Sequence, residues 1–259
     1  MFETILFEIT GAKATITLNR PEVYNAFNDL LRKELLQALK EAERQVAVRV
    51  VVITGAGKAF CSGQDLKEVM ANPDRKIAES LHNGYNPIIR QLRNMPKPVI
   101  CRLNGVAAGA GCSLALACDM VIAAEEAALS EIFINIGLVL DSGSGYFLPR
   151  LVGSAMAFDL ATTGRKVGAA EAVAIGLVKS AVPMDQLDSA VQQVADFYAN
   201  APTKAIGLMK KMLNKSFHCD LDTMLGYEAY CQDIAAASAD SKEGISAFLQ
   251  KRKPQFKGE

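Results

Sequence analysis

The chain has 259 residues, of which 50% are hydrophobic and 22% are charged, enough to bury a large core as one α/β domain, with or without a helical appendage. Its 28 basic residues balance 28 acidic residues, which argues against a global field that recruits nucleic acid or an anionic membrane. The lack of an 18-residue apolar run and of a signal-peptide pattern predicts a soluble cytoplasmic protein, with a processed matrix form as the alternative.

The N-terminal segment predicts a hairpin, a helix and a buried strand. Residues 2–9 and 13–19 alternate between apolar and polar side chains around Gly11, which is typical of a β-hairpin. Over residues 28–45 apolar residues recur at helical spacing, and the first or second residue is a suitable N-cap. Residues 48–53 are apolar apart from Arg49, as expected of a strand inside a parallel sheet.

Two glycine-containing turns, about 45 residues apart, each follow an apolar strand and open a helix. The first turn spans 59–66 (AFCSGQDL) and follows the strand at 50–53. The second spans 104–112 (NGVAAGAGC) and follows the strand at 98–101. The first N–H groups of a helix have no intrahelical partner, and the helix dipole there favours negative charge.

The middle of the chain predicts a repeat of strand, strand and helix. Residues 71–76 are polar and predict a mobile loop, followed by a helix from about 78 to 93. A strand at 98–103 leads through the second turn to a helix that ends at about Ala117, and residues 119–124 predict a further strand. This order differs from the strict alternation of a doubly wound βαβ sheet.

The C-terminal part predicts helices without strands. Residues 137–150 are rich in glycine and serine and then aromatic. The helices predicted beyond them span 154–163, 168–175, 185–199, 203–215, 220–238 and 241–251. Together they predict an appendage that packs on the core or on another subunit, and the tail at 251–257 is basic.

The two turns suggest chemistry on a carbonyl group. If they converge, the N–H groups of Gln64 and Ala110 could hold one developing oxyanion, as in enolate or acyl chemistry. Glycine allows a ligand to approach the backbone closely. The alternative is that Gly63, Gly109 and Gly111 only make tight turns.

Asp141 is the leading candidate for a general base. It lies among apolar residues, and burial would raise its pKa toward neutrality. The alternative is an Asx-type turn or helix cap before Gly143. Asp65 competes for the role but begins a helix, where capping is its natural function. Asp119 and Glu131 are weighted toward structural roles.

Other kinds of site receive little support. Arg20 and the basic tail could meet an anionic ligand or could form a solvated end. No phosphate-binding P-loop motif is present, and the glycines at 109–111 lack the third glycine of a dinucleotide site. His82 and His218 lie in unlike segments and the six cysteines form no CxxC pair, so we predict no metal site and no Ser-His-Asp triad.

Three segments together carry the pattern of one known family: residues 18–22 (LNRPE) followed by Asn25-Ala26, residues 60–66, and the segment from Lys97 to Cys112. Over nearly its full length the chain resembles the crotonase, or enoyl-CoA hydratase/isomerase, superfamily. The first segment is similar to the N-terminal CoA-binding signature of that superfamily, and the second and third look like its two oxyanion loops.

The resemblance implies an α/β fold, a spiral of ββα units over residues 1–200, and a C-terminal helical trimerisation region over 201–259. It implies a homo-oligomer, either a trimer or a dimer of trimers. The substrate would be an acyl-CoA whose thioester oxygen accepts from Gln64 and Ala110. Coenzyme A would then be part of the substrate, with no permanently bound cofactor and no nucleic acid or membrane partner.

The resemblance also assigns positions along coenzyme A. The adenine would lie near Ser62 and Gly63, with Val23 and Asn25 near the CoA arm. The full set of matching positions is Val23, Asn25, Ser62, Gly63, Asp65 and Leu66, with Phe256 and Lys257 of the tail approaching the CoA of a neighbouring site. The basic tail would thereby bind phosphate.

The departures from the family pattern concern catalysis. Hydratases of the family carry one Glu at the position of Ser113 and a second at the position of Phe133, and they use both to add water. This chain lacks both, and the expected lining of its acyl pocket is Gly109, Ser113 and Phe133. Asp141 instead falls where certain family isomerases and a dehalogenase carry a catalytic Asp.

The segment 136–143 and the tail at 238–249 are similar to the ring-1,2-epoxyphenylacetyl-CoA isomerases of phenylacetate breakdown. That subgroup usually has Pro and Gly at the positions of Leu140 and Ser144. The leading hypothesis is therefore an acyl-CoA isomerase of phenylacetate or fatty acid degradation, which moves a double bond or opens a ring epoxide. A hydratase, thioesterase or dehalogenase is the second hypothesis, and a non-catalytic CoA-binding scaffold is the third.

Overall fold

A computed structural model describes residues 2–259, which fold around two β-sheets. The strands are β1 (Ile5–Thr10), β2 (Lys13–Leu18), β3 (Val50–Gly55), β4 (Ala59–Cys61), β5 (Val99–Leu103), β6 (Val106–Ala108), β7 (Met120–Ala124), β8 (Ala128–Ser130), β9 (Val167–Gly168) and β10 (Ser180–Val182). The larger sheet has the order β1-β2-β3-β5-β7-β10, and the smaller has the order β4-β6-β8-β9.

The helices lie between and around these strands. They are α1 (Asp29–Arg44), α2 (Leu66–Ala71), α3 (Ile77–Ser80), α4 (Asn86–Asn94), α5 (Ala110–Ala117), α6 (Ser144–Val152), α7 (Ser154–Thr163), α8 (Ala169–Ala174), α9 (Met184–Ala199), α10 (Thr203–Ser216), α11 (Leu221–Ala236) and α12 (Ala239–Leu249). A π-turn at Leu81–Tyr85 joins α3 to α4, and a 3₁₀ helix at Ile132–Ile136 follows β8.

Each repeat of the chain contributes one strand to each sheet. In the units β3-β4-α2 and β5-β6-α5, the first strand is parallel to its neighbours in the larger sheet and the second pairs in parallel in the smaller sheet. The ββα repeat implied by the resemblance is therefore confirmed. The first turn of the sequence analysis connects β4 to α2 and the second connects β6 to α5, so both turns lie at the ends of adjacent strands.

Local sequence explains the best-predicted elements. The β1–β2 hairpin pairs in antiparallel register around Gly11, which has φ +59°. Helix α1 is capped by Asn28, whose Oδ1 accepts from Leu31 N at 2.8 Å. Strand β3 is buried along its whole length, as a central parallel strand must be. These three predictions are confirmed to within about three residues.

Three other predictions need correction. Helix α2 extends the first turn up to Ala71, so the polar loop begins one residue later. The segment 137–150 contains most of helix α6, which was not predicted because glycines and the internal Pro149 are unfavourable in helices. The region beyond residue 150 is not free of strands, because β9 and β10 lie there. Strands of two or three residues are too short to produce an alternating pattern.

The first part of the C-terminal region packs on the sheets, and the last three helices follow it at the surface. Strand β10 pairs with β7, and α9 packs on the larger sheet, so the chain up to about residue 200 belongs to the sheet-centred core. Helices α10, α11 and α12 follow it, and α10 contacts α4. Several large apolar side chains of α11 and α12 are exposed, among them Leu221, Phe248 and Leu249. Within residues 2–259 no helix combines the length and apolarity needed to cross a membrane.

Candidate active site

The first turn holds the Gln64 amide in a fixed orientation. Gly63 adopts φ +95°, a conformation that side chains rarely tolerate. Phe27 N donates to Gly63 O at 2.7 Å and Asp65 N donates to Phe27 O at 2.9 Å, so the backbone on both sides of Gln64 is anchored. Among residues 2–259 the Gln64 N–H has no acceptor and is therefore available to a ligand.

The second turn presents the Ala110 amide in the same way. Gly109, with φ +51°, donates its N–H to Ser130 O at 2.9 Å. Ala110 is the first residue of α5, and its N–H finds no acceptor in the described part of the chain. It is one of the free donors that a helix N-terminus always carries.

The two turns pack directly against each other. A Cβ on Gly63 would lie 3.5 Å from Ala110 N and 2.8 Å from Ala108 O. A Cβ on Gly111 would lie only 2.2 Å from Cys61 O. The glycines thus bring the two free amides into one neighbourhood, where both can serve a single anion.

Two buried asparagines fix the strand ends beneath these turns. Asn25 Nδ2 donates to Ala59 O at 2.9 Å, and Asn104 Nδ2 donates to the same oxygen at 3.2 Å. Asn25 is fully buried, and its Oδ1 accepts from Arg20 N at 2.9 Å. The Asn25 side chain therefore holds the first turn against the N-terminal segment.

The Gln64 side chain is held by a network that the sequence analysis did not identify. Its Oε1 accepts from Tyr85 Oη at 2.6 Å and from Arg32 Nη1 at 2.8 Å, and its Nε2 donates to Phe27 O at 3.0 Å. Tyr85 is the last residue of the π-turn, and such turns are frequent at functional sites. Burial raises the pKa of Tyr85 despite the opposing charge of Arg32, so its hydroxyl remains a donor.

Asp141 lies half-buried before a tight turn. Ser142 and Gly143 have φ of +50° and +88°, and Gly143 is the N-cap of α6 without any side-chain cap bond. The carboxylate is therefore not a helix cap; it accepts from Ser142 Oγ at 2.8 Å. Burial raises the pKa of Asp141 above the usual aspartate value, and the hydrogen bond from Ser142 partly offsets this.

Asp141 lies beside the residues expected to line the acyl pocket. Ser113, on the first turns of α5, places its Oγ 3.2 Å from Asp141 O. The ring of Phe133 approaches to 3.8 Å the position that a Cβ of Gly109 would take. The charge of Asp141 also acts on Tyr85, which links this cluster to the first turn.

Glu131 is a buried acid that the sequence analysis treated as structural. Its side chain is 3% exposed, and its Oε1 lies 2.8 Å from Ser144 Oγ. Burial raises the pKa of Glu131 to about 7. Only the apolar neighbours in the sequence pointed to it, and the same is true of many structural acids.

The positions assigned to coenzyme A fall into two groups. Around the first turn, Ser62 Oγ donates to Val23 O at 3.3 Å, while Asp65 caps α2 and pairs with Arg20 at 3.0 Å. Leu66 follows on α2 and is 54% exposed. Val23, Ser62 and Leu66 are exposed or partly exposed, and Asn25 and Gly63 are buried beside them.

The tail residues lie elsewhere on their own chain. Phe256 O accepts from Arg49 Nη1 at 2.9 Å, and Lys257 N donates to Asp240 Oδ1 at 2.6 Å. Arg49 precedes β3, whereas the first turn lies beyond the other end of that strand. The role of Phe256 and Lys257 toward a neighbouring subunit stays a prediction.

Comparison with known proteins relates the whole chain to a described protein family. Residues 8–259 match the family described as Enoyl-CoA hydratase/isomerase. The chain is 43% identical over 261 residues to the 1,2-epoxyphenylacetyl-CoA isomerase of Escherichia coli K12, covering 100% of both sequences. It is 42% identical to a "Probable enoyl-CoA hydratase" of Rhodobacter capsulatus, covering 99% of each. The crystal structure of an enoyl-CoA hydratase from Bacillus anthracis superposes with a TM-score of 0.92 at 34% identity, covering 99% of this chain and 100% of that one.

Proposed function

The chain belongs to the enoyl-CoA hydratase/isomerase family, and we propose that within this family it is an acyl-CoA isomerase that acts through a thioester enolate. One observation carries the choice of reaction. At the two positions where hydratases hold carboxylates the chain has Ser113 and Phe133, while Asp141 offers a half-buried carboxylate in the same cluster.

The N–H groups of Gln64 and Ala110 would bind the thioester oxygen. Their hydrogen bonds strengthen as negative charge develops on that oxygen, so they stabilise the enolate more than the ground state. The neighbouring carbon becomes more acidic as a result. Each such donor contributes about 3 kcal/mol in known sites of this kind.

Asp141 would act as the base and then as the acid. Its carboxylate takes a proton from the α carbon or from the vinylogous γ carbon, and the electron pair of that C–H bond enters the enolate. The protonated carboxyl returns the same proton to another carbon, which moves the double bond, or assists the opening of an epoxide ring. No other reactant is consumed, because a shift needs only one group that carries the proton.

The residues at the two hydratase positions support this reaction over hydration. Phe133 occupies a position where a hydratase would bind and activate water. The Ser113 hydroxyl is hydrogen-bonded to protein acceptors. A pocket that excludes water protects the enolate from side reactions. The 1,2-epoxyphenylacetyl-CoA isomerase relative suggests an aromatic or ring-epoxide acyl group.

A hydratase is the second candidate, because a relative of almost equal identity carries that name. A thioesterase or dehalogenase would use the same two amides, and a CoA-binding scaffold would bind substrate without turnover. A panel of enoyl-CoA and epoxide substrates followed by mass analysis separates these functions. Hydration adds the mass of one water, thioesterase activity releases free CoA, and isomerisation leaves the mass unchanged.

The decisive variant is Asp141→Asn. It should fold normally and bind acyl-CoA analogues, yet isomerise at least ~100-fold more slowly, the lower range for a removed general base. The control is Asp188→Asn, because the Asp188 side chain is largely exposed and a surface ion pair such as its bond to Arg102 contributes little to stability. Asp119→Asn is unsuitable because Asp119 pairs with the buried Lys210. Near-normal turnover by Asp141→Asn would refute the assignment of the base.

The proposal includes the CoA arm and the assembly. Val23, Ser62 and Leu66 form the surface that would receive the CoA arm, with Asn25, Gly63 and Asp65 supporting it. The exposed apolar side chains of α11 and α12 support a role of residues 201–259 in trimer formation. Analytical ultracentrifugation would test the trimer or dimer of trimers directly.

A further inference from the structure

A buried carboxyl group that the proposed reaction does not use lies next to the Asp141 turn. The Glu131 side chain is 3% exposed, and its Oε1 lies 2.8 Å from Ser144 Oγ. Its Oε2 is buried and has no hydrogen-bond partner within residues 2–259. An ionised carboxylate in such a place is poorly solvated, so the neutral form is favoured until the pH approaches 7.

Two serine hydroxyls connect Glu131 to the backbone of Asp141. Ser144 Oγ lies 2.6 Å from Ser113 Oγ, and Ser113 Oγ lies 3.2 Å from Asp141 O and 3.2 Å from Gly109 O. Asp141 O also accepts from Ser144 N at 2.9 Å. The path from the buried carboxyl to the backbone carbonyl of Asp141 therefore consists of hydrogen bonds throughout.

The hydrogen bonds of the two serine hydroxyls can point in either of two directions, depending on whether Glu131 carries a proton. Each serine hydroxyl carries one proton. If Glu131 is ionised, Ser144 donates to it, and Ser113 must donate to Ser144 to satisfy the 2.6 Å contact. If Glu131 is protonated, it donates to Ser144 and Ser144 donates to Ser113. The Ser113 proton is then free for the carbonyls of Asp141 and Gly109, which share it at 3.2 Å each.

We propose that Glu131 is a positioning residue for Asp141, acting through Ser144 and Ser113: with its proton in place the hydroxyl chain donates to the Asp141 carbonyl, and loss of that proton withdraws this hydrogen bond. The inference rests on the proposed function, in which Asp141 is the base. It also gives a role to Ser144, a departure that the family resemblance left unexplained.

Few other titratable groups face Glu131. The Cys112 thiol on α5 lies beside it, and burial raises the pKa of that thiol so far that it stays neutral. Asp141, on the segment before α6, adds a repulsive negative charge. The negative charge of Asp141 also acts on the Tyr85 hydroxyl, and burial raises the pKa of Tyr85, so this hydroxyl stays neutral as well. The titration near Glu131 therefore belongs to the two carboxyl groups.

An infrared titration tests the hydroxyl chain without reference to activity. Protein carrying ¹³C-labelled glutamate should show a protonated glutamate carboxyl band that disappears near neutral pH and is absent from Glu131→Gln. Ser144→Ala removes the hydrogen bond that stabilises the ionised form, so it should move this titration to higher pH. A Glu131 that is already ionised at pH 5, or a titration that Ser144→Ala leaves in place, would overturn the proposal.

The pH dependence of isomerisation tests the positioning role. Turnover by the wild type should fall about three- to tenfold as Glu131 ionises, the equivalent of one hydrogen bond. Glu131→Gln keeps a donor toward Ser144, and Ser144→Ala frees the Ser113 proton, so both should lack this fall. The matched control is Glu34→Gln, which removes another buried carboxyl, one that accepts hydrogen bonds from Thr4 and Glu3. This variant should retain the alkaline fall in turnover.

The outcomes are separable. An alkaline fall that persists in Glu131→Gln overturns the positioning role. A wild type that isomerises no substrate overturns the proposed function instead, and the infrared titration of Ser144→Ala still decides whether the hydroxyl chain exists.

Discussion

The α carbon of Gly111 packs against the carbonyl oxygen of Cys61 so closely that a side-chain Cβ at this position would lie 2.2 Å from that oxygen. Cys61 ends β4 and Gly111 lies in the first turn of α5, so this contact joins the two turns that carry the free amides. The backbone oxygen of Cys61 cannot move aside to relieve such a clash, whereas the end of a flexible side chain could. The separation of the Gln64 and Ala110 amides thus depends on the absence of a Cβ at residue 111.

Gly111→Ala should therefore destabilise the protein by about 1–3 kcal/mol, the usual cost of forcing extra atoms into a packed core. Urea unfolding of the variant measures this loss. The matched control is Gly145→Ala, because Gly145 also lies in a helix and a Cβ there meets nothing within 4 Å. A Gly111→Ala variant as stable as this control would mean that the two turns can separate without cost.

Much of this fold could be predicted from the sequence where local rules and packing agree. The β1–β2 hairpin has alternation and a turn glycine, and α1 has both helical periodicity and the Asn28 cap. Strand β10 has three half-buried residues and no periodicity of its own, so it exists because β7 offers it a parallel edge. Such tertiary pairing leaves no local signal.

Some residues of the candidate site could be predicted from local sequence, and others could not. The glycine turns and Asp141 carry a signal in the sequence because turn chemistry and an acid among apolar residues are unusual locally. Tyr85 and Arg32 are distant from Gln64 in the chain, and only the packing of the π-turn against α1 brings them to its side chain. The importance of Glu131 depends likewise on Ser144, 13 residues away.

Tyr85→Phe tests the support of the first turn. The substitution removes the 2.6 Å hydrogen bond to Gln64 Oε1 and leaves the bond from Arg32 in place. The amide of Gln64 should then be held less firmly, and isomerisation should slow about three- to tenfold, as for one lost hydrogen bond. Tyr230→Phe, at an exposed tyrosine of α11, is the control and should leave turnover unchanged. Equal rates in both variants would show that the Gln64 side chain does not control its amide.

The acid limb of the pH–rate profile should report Asp141. A base must be ionised, so turnover falls as the pH drops through its pKa, which burial raises above the ordinary value of 3.8. Ser142→Ala removes the hydrogen bond that lowers this pKa, so the limb should move to higher pH. Steady-state kinetics across the acid range measures both midpoints. A limb at the ordinary aspartate value, unmoved by Ser142→Ala, would assign it to another group.

The stability of the protein should reveal the buried Glu131 independently of any substrate. Burial raises its pKa from 4.5 in the unfolded chain to about 7 in the folded one, so the native state binds the extra proton between these values. Stability contributed by the neutral carboxyl is therefore fully present below pH 4.5 and is lost as the pH rises to about 7. At about 1.4 kcal/mol per pH unit the loss totals about 3 kcal/mol.

The glutamine of Glu131→Gln does not titrate, so the free energy of unfolding of this variant should not decline in this way. All other titrating groups are the same in the variant and the wild type. The difference in unfolding free energy between variant and wild type should move by about 3 kcal/mol in favour of the variant from pH 4.5 to pH 8. Urea unfolding at a series of pH values measures that difference. Parallel curves for the two proteins would mean that water or a structural change solvates the Glu131 carboxylate, and its ionisation could then no longer control the hydroxyls of Ser144 and Ser113.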